Sequence, residues 1–188
     1  MRRNAFPAAL CLCLMTMSGC AYWHGNFRAV EEGRFYRSGQ MNPGQLRAKM
    51  TRYEIGTVIN LRGANPGVDW YEAERAVCAA QGAKHYDLDW SKDEWPAPES
   101  LALFVQYIED ADGPVLVHCQ GGTHRSGVAS AFYLLDRGVS LEEAREQLDI
   151  FFGDAPIGQA LDAYEGSVLS FREWVRAEYP GRYAARVR

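Results

Sequence analysis

Cysteine is scarce in this sequence once its first twenty residues are set aside. Of five cysteines in 188 residues, Cys11 and Cys13 lie in an apolar leader, Cys20 closes it, and Cys78 and Cys119 remain. Two thiols cannot staple an exported domain, so its stability must come from a hydrophobic core. A basic excess is also lacking: 20 Lys and Arg stand against 24 Asp and Glu, for a net charge of −4. That balance argues against nucleic acid as a partner. Beyond the leader no apolar run reaches the eighteen or so residues of a spanning helix, so none is expected in the body. Repeats and low-complexity tracts do not occur. His118, Cys119 and His124 offer two adjacent donors and one more, a poor tetrahedral set, so no metal is expected.

What is present fits one globular domain: 188 residues, 47% of them hydrophobic. The opening MRRNAFPAALCLCLMTMSGC has Arg2 and Arg3, an apolar stretch to Met17, then small residues before Cys20. It reads as a secretory signal peptide. Met17-Ser18-Gly19-Cys20 resembles the bacterial lipobox, with Met where Leu is usual. That resemblance implies cleavage before Cys20 and acylation of its sulfur. With Ala21 following, it implies a lipoprotein on the periplasmic side of the outer membrane. Several acyl chains on one residue anchor stably where a single chain does not. Loss of residues 1–19 removes Arg2 and Arg3 and no acid, which takes the charge from −4 to −6. An acidic body does not steer highly anionic partners over long range, although a local basic pocket can still hold phosphate.

Along the body, apolar runs alternate with amphipathic ones. A short strand is expected near Phe35 and a helix from Asn42-Pro43-Gly44-Gln45, where Asn42 caps, Pro43 suits the first turn and Gln45 reaches back. IGTVINLRG (55–63) reads as a buried strand. A helix is expected over 70–81, stopped by Gly82, then a strand over 84–89 and a helix over 100–111. The run 114–117 has no polar alternation, so both faces of that strand should be covered. A helix is expected over 126–137, and a Ser140/Glu143 capping box should start another that runs to about Phe151. Leu161, Tyr164, Val168, Phe171 and Val175 suggest one last helix. The pattern predicts an α/β fold: a central, mostly parallel sheet flanked by helices.

The informative stretch is GPVLVHCQGGTHRSG, 113–127. It leaves a buried strand and opens a helix, which puts it at the carboxyl edge of the sheet, where such folds bind ligands. Backbone N–H groups at a helix start favour an anion. Gly121 and Gly122 let Gln120, Thr123 and His124 curl into an amide cradle. Arg125 can grip an oxyanion through two charge-assisted bonds. In that positive field Cys119 should ionise readily. A thiolate facing a cradle for a tetrahedral anion is a nucleophile for phosphorus.

This Cys-x5-Arg-Ser loop resembles the signature of the protein tyrosine phosphatase superfamily, and the short chain looks like its compact dual-specificity branch. FYRSGQ, TVINLRG and GPVLVHC are similar to bacterial periplasmic members, and the resemblance covers roughly Phe35 to Phe152. It implies a dual-specificity-phosphatase-like single domain, here 35–180, after a leader (1–19) and an anchor and linker (20–34). It implies no cofactor, and a phosphorylated protein or small phosphomonoester as substrate. Ser126 would donate to the sulfur and His118 would order the loop. Arg62 would brace the acid loop or meet substrate. The resemblance also implies a general acid upstream on a separate loop, and Asp87, Asp89, Asp93 and Glu94 are candidates. Asp93 is preferred, six residues before Glu99, the offset similar phosphatases use; Asp89 comes second. Two other readings stay open: a rhodanese-like sulfurtransferase, and a lipid-anchored module that binds phosphate ligands without turnover. Whether Cys119 pairs with Cys78 also stays open; such a disulfide would be a reversible off state.

Overall fold

The computed structural model describes residues 25–187, so the leader and Cys20 lie outside the described residues. Five short strands form one sheet: β1 (Arg28–Glu31), β2 (Phe35–Ser38), β3 (Thr57–Asn60), β4 (Lys84–Asp87) and β5 (Val115–His118). Their order is β1-β2-β5-β3-β4. β5 lies between β2 and β3 and runs parallel to both, β4 is parallel to β3, and β1 is an antiparallel edge on β2. Central β5 is buried along its whole length. Val115 and Val117 face one core while Leu116 faces another, which explains the unbroken apolar run.

Two helices cover the Leu116 face: α1 (Pro43–Tyr53) and α2 (Asp69–Ala80). Leu46 and Met50 from α1 and Val77 and Cys78 from α2 pack there with Tyr36 and Val58. The Asn42/Gln45 capping box forms, with Pro43 in the first turn. The opposite face carries the rest: α3 (Pro98–Glu109), α4 (His124–Asp136), α5 (Leu141–Arg145), a 3-10 turn (Pro156–Gly158), α6 (Gln159–Asp162), α7 (Phe171–Ala177) and α8 (Tyr179–Arg186). Their core gathers Phe104, Phe132, Phe171 and Trp174 against Phe35, Ile59 and Val117. Among the described residues no helix is long and apolar enough to cross a membrane.

Three expectations need correction. The helix after Ser140 stops at Arg145 instead of near Phe151. Ser140 caps the Glu143 N–H, but the Glu143 carboxylate takes the Ser140 hydroxyl and not the backbone N–H of a reciprocal box. The single last helix is in fact two elements. Gly166, at φ +76°, breaks the chain, Val168 is 97% exposed, and a Ser170/Glu173 capping box starts α7 afresh. The helical spacing arose because Leu161 and Phe171 pack into one core from separate elements. The folded unit also exceeds 35–180: β1 extends the sheet upstream, and α8 continues to Arg186.

Candidate active site

β5 ends at His118, so Cys119 emerges at the carboxyl edge of the sheet, between the ends of β2 and β3. The chain then turns through Gln120–Thr123 into α4. Gly122 makes the turn possible. Its φ is +76°, and a Cβ there would stand 2.5 Å from Gly39 N and 2.8 Å from the Ser38 carbonyl carbon. Only glycine fits such an approach.

Cys119 is 2% exposed. Its Sγ accepts the Gly122 N–H at 3.2 Å and lies 3.5 Å from Ser126 Oγ. Burial by itself opposes the thiolate. The Ser126 hydroxyl, the amides of Ser126 and Gly122 and the charge of Arg125 outweigh it, and the thiol is held below its ordinary 9.0. Ser126 is wholly buried, and its own carbonyl accepts from Ser130 Oγ at 2.7 Å. Arg125 donates through Nη1 to the carbonyls of Leu61 and Trp90, each at 3.2 Å. It thereby ties the Cys119–Arg125 loop to the segments that follow β3 and β4. Thr123 and His124 are half-buried, and the His124 ring centre lies 5.4 Å from that of Phe152.

Behind the loop runs a buried polar chain. Oε1 of Glu74 lies 2.9 Å from Nε2 of both His118 and His85, and Oε2 accepts from Gln40 Nε2 at 2.7 Å. Gln40 Oε1 accepts from Arg62 Nη1 at 2.9 Å, and the Arg62 guanidinium stacks 3.7 Å above the Trp70 ring. Burial would raise the Glu74 carboxyl, but the bonds from His118, His85 and Gln40 hold it well below the ordinary carboxylate range. An ionised carboxylate only accepts, so both Nε2 atoms carry hydrogen. Arg62 therefore braces the network behind the loop. Its charge is felt there too: burial first, then Arg125, lowers its pKa, while Glu74 and Cys119 oppose them.

Of the acid candidates, Asp87 is committed elsewhere. It accepts from Asn60 Nδ2 at 2.8 Å and from the Tyr71 hydroxyl at 2.6 Å. Asp89, Asp93 and Glu94 are exposed. Asp89 pairs across a short bridge with Arg62 and lies beside Gly63. Asp93 lies in the loop after Trp90, 2.7 Å from Lys92 Nζ, with its N–H bonded to Ser91 Oγ. The loop's ends are well fixed. Trp90 is buried and donates to Ser100 Oγ at 2.9 Å, Lys92 O accepts from Ile157 N, and the Tyr179 hydroxyl donates to Pro96 O at 2.7 Å.

Four supports were missed at the level of sequence. Asn26 donates through Nδ2 to the carbonyls of Gly121 and Gly122 at 3.0 and 3.1 Å. Gly25-Asn26 reads as a turn, but nothing local says what the turn holds. Glu74 did leave a signal: a carboxylate three residues from Tyr71 and four from Cys78, on the buried stripe of α2. Arg37 and Asp149 are the others. Fully buried Arg37 donates to Gln147 O at 2.6 Å and to Asp149 Oδ2 at 3.2 Å.

The sheet stands between the two thiols of the disulfide left open above. Cys119 belongs to the core on the α4 face, whereas Cys78 packs with Leu116 on the other. Both thiols are free and buried, and burial pushes Cys78 up to about 12.

Residues 25–165 match the family described as Swiss Army Knife protein, DSP-PTPase phosphatase domain. Human dual specificity protein phosphatase CDC14A is 34% identical over 65 residues, which cover 35% of this chain and only 11% of that protein. Among solved structures, P. aeruginosa TpbA in complex with pTyr superposes with a TM-score of 0.59 at 24% identity, covering 81% of this chain and 91% of that one. The catalytic core of the PP-IP phosphatase SIW14 from S. cerevisiae gives 0.55 at 17% identity, covering 86% and 92%. At such identities the structural likeness speaks for the fold.

Proposed function

The chain belongs to the DSP-PTPase phosphatase-domain family, and is by family a protein tyrosine or dual-specificity phosphatase; on that premise we propose that it hydrolyses phosphomonoesters through a phosphocysteine. Sγ of Cys119 attacks phosphorus in line and the bond to the leaving oxygen breaks. Loop amides and Arg125 hold the equatorial oxygens, where charge must be stabilised. Asp93 gives its proton to the leaving oxygen. It then takes one from water as the S–P bond is cleaved. The sulfur departs as a thiolate, and the Ser126 hydroxyl and the Gly122 N–H are in place to receive its charge. The observation that carries this reading is the environment of Cys119: a buried sulfur with two hydrogen-bond donors and an adjacent guanidinium, at the start of a helix.

Phosphotyrosine or mixed phosphoprotein substrates suit a loop without lysine better than polyphosphorylated ligands. The bound pTyr of TpbA is consistent with that choice. We further propose that the protein is exported and anchored by acyl chains on Cys20, in keeping with the leader and the lipobox-like Met17–Cys20. The test of the chemistry is an acid quench during turnover of a labelled aryl phosphate. Label should accumulate on Cys119, more so in Asp93→Ala. Thiosulfate sulfurtransferase activity without phosphate release, or phosphate binding without turnover, would overturn it.

A further inference from the structure

The turn that follows α5 presents two large apolar side chains to solvent: Ile150 is 91% exposed and Phe151 is 71% exposed. The turn is firmly held. Asp149 Oδ2 accepts from Arg28 Nη1 at 2.9 Å and from buried Arg37, and its Oδ1 and carbonyl accept the N–H groups of Phe151 and Phe152. A buried arginine is thus used to fix a turn whose tip is apolar. The turn also borders the phosphate loop, because Phe152 packs near His124. Arg28 bonds in addition to Asn26 Oδ1, and Asn26 clamps Gly121 and Gly122. Tip, loop and residue 26 are therefore linked by single side chains.

Residue 26 follows Cys20 by only six positions. At about 3.5 Å per residue, even a fully extended connection spans roughly 20 Å. Tyr22 and Trp23 fall within it, and such aromatic residues favour the headgroup level of a bilayer.

We propose that Ile150 and Phe151 insert into the bilayer that holds the acylated Cys20, so that the phosphate loop works against the membrane surface on phosphomonoesters carried there. The proposal rests on the lipoprotein reading. The short connection prevents the domain from standing far off the surface. Two points of attachment, the acyl chains and the apolar tip, then fix its orientation where one would leave it free to swivel.

The test uses the full acylated chain in lipid vesicles. Ile150→Trp adds a reporter at the tip. Its added fluorescence, relative to the parent chain, should be quenched by lipids brominated on their acyl chains. The double variant Ile150→Glu, Phe151→Glu should hydrolyse a soluble aryl phosphate at the parental rate. It should lose about tenfold on the same aryl phosphate tethered to an acyl chain in the vesicles. Mass spectrometry of Cys20 separates the two ideas. An unmodified Cys20 overturns both. An acylated Cys20 with an unquenched reporter, or equal rates on tethered substrate, overturns the docking alone. A loss confined to soluble phosphopeptides would make the tip a peptide-binding element and overturn it as well.

Discussion

Nε2 of His118 donates to Oε1 of Glu74 across 2.9 Å, with both side chains almost wholly buried. The residue before Cys119 is thus oriented by a carboxylate from a helix on the far side of the sheet. Glu74→Ala leaves two histidines and Gln40 without their shared acceptor, and removing one partner of such a buried set costs about 3–5 kcal/mol. Because folding depresses the Glu74 pKa below the ordinary 4.5, its contribution is fully present above that pH and drains away as pH falls below it. Melting temperature followed from pH 7 to pH 3 should therefore fall less steeply in Glu74→Gln than in the parent. Parallel curves would show that the carboxylate is not coupled to folding.

Ser126→Ala removes the largest of the influences that favour the Cys119 thiolate. The thiol pKa is expected to move up towards 9.0, read as the midpoint of iodoacetamide alkylation against pH. Turnover should drop by about 10–100-fold, with the second step, loss of phosphate from sulfur, slowed most. Cys119→Ser should abolish turnover while the folded protein still binds sulfate.

Asp93 and Asp89 are separated by leaving-group dependence. Removing a general acid matters most when the departing oxygen is a poor leaving group, by about 10²–10⁴-fold. Asp93→Ala should cut hydrolysis of an alkyl phosphate by that range and slow a nitrophenyl ester less, the loss there falling on cleavage of the S–P bond. If Asp89→Ala shows this pattern in its place, the acid is Asp89.

Asn26→Ala deletes two hydrogen bonds to the phosphate loop, at a cost to stability of about 1 kcal/mol each. The larger effect should fall on catalysis, a decrease of about tenfold in kcat, because the loop amides lose their fixed geometry. Crystals of the variant should show Gly121 and Gly122 displaced. Unchanged kcat would mean that the Gly122–Gly39 contact suffices.

What was legible in the sequence is what local chemistry encodes. Val115–Val117 announced a covered strand, Gly121-Gly122 a tight anion loop, and Asn42 to Gln45 a helix start, each within a few residues. What was hidden acts over distance. Asn26 meets Gly121 across 95 positions, Glu74 meets His118 across 44, and Tyr179 meets Pro96 across 83. No periodicity marks such pairs. The misread final helix is the converse case: a regular spacing produced by two elements that share a core, with Gly166 between them. Asp87 shows a third kind of limit, since its capture by Asn60 and Tyr71 depends on the register of β3 against β4.

The bond from the Tyr179 hydroxyl to Pro96 also sets an order of events during synthesis. A ribosome delivers Cys119, its loop and Arg125 well before Tyr179, which holds the far end of the loop that follows Trp90. A nascent chain that ends before Tyr179 would have the Cys119–Arg125 loop in full and keep the Lys92–Ile157 bond, but would lack the tether at Pro96. On the proposed mechanism, such a chain would hold phosphate but hydrolyse esters more slowly than one that extends through Tyr179.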